Sequence, residues 1–116
     1  MSIRNKTAIV GVGATPYYKR GASLPQTLNE LVCKAIIAAV EDAGLRMQDV
    51  DGFAFYSEGF NTPYLMETLG IPEVSYTATL TGSGGGSAGS IGLASSAIVS
   101  GMANVVVCVG AVQQAQ

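Results

Sequence analysis

The chain has 116 residues, six basic and eight acidic, a net charge of −2 at pH 7, no histidine and two cysteines. Its basic residues, Arg4, Lys6, Lys19, Arg20, Lys34 and Arg46, are too few and too scattered to track a phosphate backbone, which argues against nucleic acid as a partner. Without histidine, Cys33 and Cys108 cannot assemble an ordinary zinc site or take part in a Cys-His relay, so no metal site is expected and both are read as inert buried thiols in apolar stretches.

The first element is Thr7–Gly13, a β-rich run closed by glycine, followed by a polar loop over Ala14–Arg20. The preceding residues lack the apolar run of a secretory signal, which places the expected location in the cytoplasm. A helix is signposted from Ser23, a candidate N-cap, with Pro25 in the first turn. Leu28, Leu31, Val32, Ala35, Ile36, Ala39, Val40 and Ala43 recur at helical spacing, and Gly44 supplies the stop. Val50–Tyr56 reads as a second strand, with Ser57–Thr62 as the loop after it, and Pro63–Leu69 as a short helix ended by Gly70. Glu73–Leu80 is a third strand, Ser87–Ser100 a second long helix, and Asn104–Gly110 a fourth strand. This alternation predicts a layered α/β fold around a mainly parallel sheet.

From Val74 to Gln116 there is no charged residue. Such a segment is expected to be interior on nearly all sides, and a domain of this length has too little remaining chain to cover it. The chain therefore reads as the N-terminal part of something larger, or as a surface covered by a partner. A membrane span over Ile91–Val112 is disfavoured, because Ser95, Ser96, Ser100, Gly101 and Asn104 interrupt it and its second half is rich in valine.

The most informative stretch is the glycine-rich turn between the third strand and the small-residue helix. Ser83, Gly84, Gly85, Gly86 and Ser87 would present backbone N–H groups beside the positive end of a helix dipole, a place suited to an oxyanion, a phosphate or a thioester carbonyl. Gly84 to Gly89 also satisfies the dinucleotide pattern G-x-G-x-x-G after a strand, but the acidic residue that would hold the ribose is missing where Gly110, Ala111 and Val112 stand. A P-loop is excluded because no lysine follows Lys34. The bland alternative is a tight connection whose glycines serve only backbone geometry.

The run Ala8–Pro16, the helix end Ala39–Leu45, the follow-on Asp49–Gly52 and the block Ala97–Gly110 together resemble the N-terminal part of the thiolase superfamily, in its sterol-carrier-protein and lipid-transfer-type branch. The resemblance implies two similar halves packed as α-β-α-β-α layers, usually in homodimers, with residues 1–116 as most of the first half and Ser87–Ser100 as its central buried helix. Thiolases carry a nucleophilic cysteine at the start of that helix. Here the position falls on Gly84, so the nucleophile is missing, and neither Ser83 nor Ser87 has a visible base to activate it. Branch members lacking the cysteine include aldolases that cleave or form a C–C bond on an acyl-CoA, working with a small OB-fold partner. The implied activity is accordingly an acyl-CoA lyase or aldolase rather than a cysteine-dependent acyltransferase, with the CoA thioester as substrate, no further cofactor, and acid/base residues in a C-terminal half. A non-catalytic thiolase-like subunit supporting an active partner, and a dinucleotide-binding domain, are the alternatives. In the family the strand before the nucleophile turn pairs across the two-fold axis, which places a dimer seam along Glu73–Leu80.

Overall fold

The computed structural model describes residues 2–56, 59–80 and 85–112. Its elements are α1 (Leu28–Asp42), a 3-10 turn (Met47–Asp49), β1 (Gly52–Tyr56), α2 (Thr62–Leu69), β2 (Tyr76–Leu80), α3 (Gly86–Val99) and β3 (Val106–Val109). The three strands form one parallel sheet in the order β2-β1-β3, so the expected α/β class is observed.

The helix ends follow from local chemistry. Thr27, not Ser23, caps α1, its hydroxyl accepting from the Glu30 N–H at 3.1 Å. The residues from Arg20 to Pro25 form turns instead of a first helical turn, held by bonds such as Ala22 N–H to the Lys19 carbonyl. At the other end Gly44 takes φ +71°, its N–H bonds the Glu41 carbonyl and the Leu45 N–H bonds the Val40 carbonyl, the Schellman pattern that glycine permits. Asn61 caps α2 through the Tyr64 N–H, and Gly70 closes it at φ +73°.

Strand alternation divides the sheet into two faces. Phe53 and Phe55 are fully buried in a core with Val32, Ile36 and Val40 of α1 and Leu65 of α2. On the other face Gly52, Ala54 and Tyr56 of β1 lie against α3, whose buried residues are Ser90, Ala94 and Ala97. Small side chains let that helix approach the strands closely. Among the described residues the opposite side of α3 is open, with Ile91 44% exposed, so the helix is covered on one side only.

Asp51 ties β1 to β3. Its carboxylate accepts from the Asn104 N–H at 2.9 Å and the Val105 N–H at 2.8 Å, holding the chain entering β3 beside the start of β1. The expected strand Thr7–Gly13 is not part of the sheet. It runs extended beside α1 without strand pairing among the described residues, and Ile9, Val10 and Val12 are 71%, 63% and 71% exposed.

Candidate active site

Parallel strands deliver their carboxyl ends to one rim of the sheet, and in open α/β sheets ligands bind outside those ends. Here β1 ends at Tyr56, β3 is followed by Gly110, and α3 begins between them. Of the five residues expected to bind substrate, Ser83 and Gly84 lie outside the described residues, whereas Gly85, Gly86 and Ser87 open α3 on this rim.

Gly85 is the N-cap of α3, offers no side-chain cap, and its carbonyl accepts the first intrahelical bond, from the Gly89 N–H at 2.9 Å. The first N–H groups of a helix have no intrahelical acceptor, and no acidic residue occupies the first turn of α3 to compensate them. Gly85 and Ser87 are exposed and Gly86 is half-buried. The arrangement can donate backbone hydrogen bonds to a carbonyl oxygen or an anion.

The walls of this rim are set by contacts that chain order does not reveal. Gly86 sits on the ring of Tyr56, so close that a Cβ at Gly86 would stand 2.6 Å from Tyr56 Cδ2. Across the rim a Cβ at Gly110 would stand 2.7 Å from the Ser87 Oγ. Glycine at both positions lets the start of α3 settle between the two strand ends. From the sequence, Tyr56 and Phe60 stand after a strand end as aromatics near the pocket, more often packing residues than catalytic ones, whereas Gly110 is hinted at only as the glycine after a β-rich run. Phe60 is a packing residue, 3% exposed, with its ring 4.8 Å from that of Phe55.

Behind the rim the Ser90 hydroxyl donates to the Ser87 carbonyl at 2.6 Å, and the Cys108 thiol leans on the Ser90 carbonyl at 3.6 Å. Cys33 is buried as expected, but Cys108 is an exposed residue, which corrects the reading of two buried thiols. Desolvation pushes both thiols above their ordinary pKa, opposed by hydrogen bonding with Thr68 for Cys33 and with Ser90 for Cys108. Neither is an activated thiolate of the kind lowered pKa values produce. Among the described residues no helix is long and apolar enough to cross a membrane.

No protein-family model matches the chain. It is 34% identical over 102 residues to the steroid side-chain-cleaving aldolase of Thermomonospora curvata, a stretch covering 87% of this chain and 25% of that protein. It is 31% identical over 106 residues to the 17-hydroxy-3-oxo-4-pregnene-20-carboxyl-CoA lyase of Mycobacterium tuberculosis, covering 90% of this chain and 27% of the relative. The chain thus spans about a quarter of the length of the curated relatives it matches. Among solved structures it superposes on the Ltp2-ChsH2(DUF35) aldolase with a TM-score of 0.86 and 32% identity, over 94% of this chain and 28% of that one. A 3-oxoacyl-[acyl-carrier-protein] synthase III from Aquifex aeolicus VF5 superposes with a TM-score of 0.57 at 22% identity, over 71% of this chain and 28% of that one, a likeness of fold alone. The fold is thus a thiolase-like α/β arrangement.

Proposed function

We propose that the chain forms the N-terminal thiolase-like unit of an acyl-CoA aldolase or lyase, one that cleaves or forms a C–C bond on a CoA thioester without a cysteine nucleophile. The observation that carries this reading is the superposition of 94% of the chain on the Ltp2-ChsH2(DUF35) aldolase at a TM-score of 0.86. The names of the two curated relatives, an aldolase and a CoA lyase, support the same chemistry.

In this reading the start of α3 receives the thioester carbonyl. Cleavage of the bond β to a thioester leaves an enolate whose negative charge develops on the carbonyl oxygen, and backbone N–H groups aimed there stabilise it without any side-chain titration. Ser83, Gly84, Gly85, Gly86 and Ser87 are the proposed thioester-binding residues, with Tyr56 and Gly110 as the walls against Gly86 and Ser87 at the start of α3. Glycine at position 84 offers space where thiolases place their nucleophile. Proton transfer is assigned to residues outside this chain, since it contains no histidine and no carboxylate after Glu73. A homodimer along β2, a small OB-fold partner subunit, a cytoplasmic location and a lipid-transfer-type ancestry belong to the same proposal.

The test is a retro-aldol assay on β-hydroxyacyl-CoA substrates, with the unit carried in its full-length polypeptide and with and without a co-expressed OB-fold subunit. Release of a ketone or aldehyde together with the shortened acyl-CoA, retained in Cys33→Ala and Cys108→Ala variants, is the expected result. Turnover that depends on either cysteine contradicts the assignment. CoA binding without turnover in the presence of the partner would favour the non-catalytic supporting subunit.

A further inference from the structure

Leu80, Tyr56 and Gly110 stand in one row across the carboxyl end of the sheet. The register pairs Tyr56 with Leu80 of β2, and continuing the pairing of Phe55 with Val109 brings Gly110 beside Tyr56 on the β3 side. All three meet the start of α3. A Cβ at Gly86 would have Tyr56 Cβ, Cγ and Cδ2 within 2.9 Å, one at Gly89 would stand 3.1 Å from Leu80 Cδ1, and one at Gly110 would stand 2.7 Å from Ser87 Oγ. The helix therefore rests on two large side chains and on one strand end that has none.

The next row on this face of the sheet is Ala78, Ala54 and Cys108, all small. Among the described residues Tyr56 is thus the one aromatic ring at this end of the α3-facing side, and it is only half-buried. Gly86 covers its stem, so the part left accessible is the outer ring.

A thioester whose carbonyl oxygen is held by the first backbone N–H groups of α3 has two arms of different chemistry. The CoA arm carries phosphates, which need cations or water, whereas the acyl arm is apolar. No residue after Glu73 is charged, so β2, α3 and β3 offer the phosphates nothing, and the ring of Tyr56 is a wall suited to the acyl arm. With the oxygen on α3 the β-carbon lies only a few bonds away, which brings its substituents within reach of the ring that touches Gly86.

We propose that Tyr56 is a specificity-determining residue, its ring gauging the bulk carried on the carbon β to the thioester, the part of the substrate released as ketone or aldehyde. The inference rests on the acyl-CoA reading above. An apolar pocket discriminates by about 10–200-fold for each methylene gained or lost, so a whole ring suffices to set a preference. Replacing the ring by a methyl group opens the space to a bulkier β-carbon, and the phenol oxygen takes no part in the selection.

The test compares two substrates in the full-length polypeptide with a co-expressed OB-fold subunit. β-Hydroxyisovaleryl-CoA carries two methyl groups on its β-carbon and cleaves to acetone and acetyl-CoA. Its bulky counterpart, cyclohexylacetyl-CoA with a hydroxyl on the ring carbon β to the thioester, cleaves to cyclohexanone and acetyl-CoA. The readout is the ratio of kcat/KM, bulky over small, in which the folded fraction of a destabilised variant cancels. Tyr56→Ala is expected to raise this ratio by about tenfold or more, and Tyr56→Phe, which keeps the ring, to hold it within about twofold of wild type. Phe60→Leu thins the core on the opposite face of the sheet and is expected to leave the ratio where it was. An unchanged ratio in Tyr56→Ala overturns the proposal, as does a shift in Tyr56→Phe or Phe60→Leu as large as that in Tyr56→Ala. Wild type that cleaves neither substrate overturns the aldolase reading instead, and the ratio is then read from calorimetric dissociation constants for the unreactive isovaleryl-CoA and cyclohexylacetyl-CoA. The same shift toward the bulky ligand in Tyr56→Ala supports the role of Tyr56 on its own, whereas no shift, or no binding of either ligand to wild type, overturns it.

Discussion

Gly86, the first residue of α3, rests on the ring of Tyr56 at the end of β1, leaving no room for a side chain: the nearest ring atom would be 2.6 Å from its Cβ and the Tyr56 Cβ itself 2.9 Å. The nearest atoms belong to the stem of the tyrosine rather than to its tip, so a rotamer change cannot relieve the contact. Gly86→Ala is expected to destabilise the chain by about 1–3 kcal/mol through overpacking, outweighing the gain of about 1 kcal/mol that alanine brings to a helix. Gly92, on the same helix with nothing within 4 Å of its Cβ position, provides the opposite sign: Gly92→Ala should stabilise by about 0.5–1 kcal/mol. Urea unfolding of both variants checks the pair, and Tyr56→Ala in the Gly86→Ala background should recover part of the loss.

Asp51 joins two strands through backbone donors of Asn104 and Val105. Hydrogen bonds to a charged acceptor contribute more than neutral ones, so Asp51→Ala is expected to cost about 1–3 kcal/mol. Asp51→Asn keeps one acceptor oxygen and should cost less. Thermal melts of the two variants read this order, and an Asn variant as unstable as the Ala variant would place the effect elsewhere.

The two thiols should separate by access and share a pH dependence. Both have raised pKa values through desolvation, so at neutral pH each is less thiolate than a free cysteine. Cys108, exposed, is expected to alkylate before buried Cys33, and its rate should keep rising with pH beyond the range where a model thiol has levelled off. The sign for stability follows from the same shift. Because the folded thiols hold their protons more tightly than the unfolded ones, their contribution is fully present below the unfolded cysteine pKa, about 8.5, and is lost as pH rises from there through the folded values. Iodoacetamide labelling followed by mass spectrometry measures the first effect, and unfolding midpoints between neutral and alkaline pH measure the second.

The proposed dimer seam runs along β2, which is the other edge of the sheet. Thr77 and Thr79 are exposed, whereas Tyr76, Ala78 and Leu80 are half-buried on the face toward α3, so a charge at Ala78 would disturb the fold before it disturbed association. Thr79→Lys is the cleaner probe. It should shift a dimer toward monomer in analytical ultracentrifugation at low concentration while leaving the melting of the monomer unchanged, and an unaltered dimer mass would remove this seam.

The sequence by itself determined the elements whose signals are local. The apolar spacing from Leu28 to Val40 marked α1, Gly44 and Gly70 marked helix ends because only glycine enters the left-handed region cheaply, and the valine-rich run marked β3. Periodicity alone could not distinguish Ser23 from Thr27 as the cap, since both can accept from a backbone N–H and only the path of the chain decides which one does. The glycines at the start of α3 were visible in the sequence, but their neighbours were not: Tyr56 and Gly110 meet Gly86 and Ser87 only after the sheet forms. Thr7–Gly13 shows the same division most clearly. Its residues have the composition of a strand, yet a strand exists only when a second backbone supplies its hydrogen bonds, and no local sequence contains that partner. Tertiary structure decided that this segment lies against α1 and outside the three-stranded sheet, because Gly11 and Gly13 seat it on Ala39 and the Thr7 hydroxyl meets Ser95.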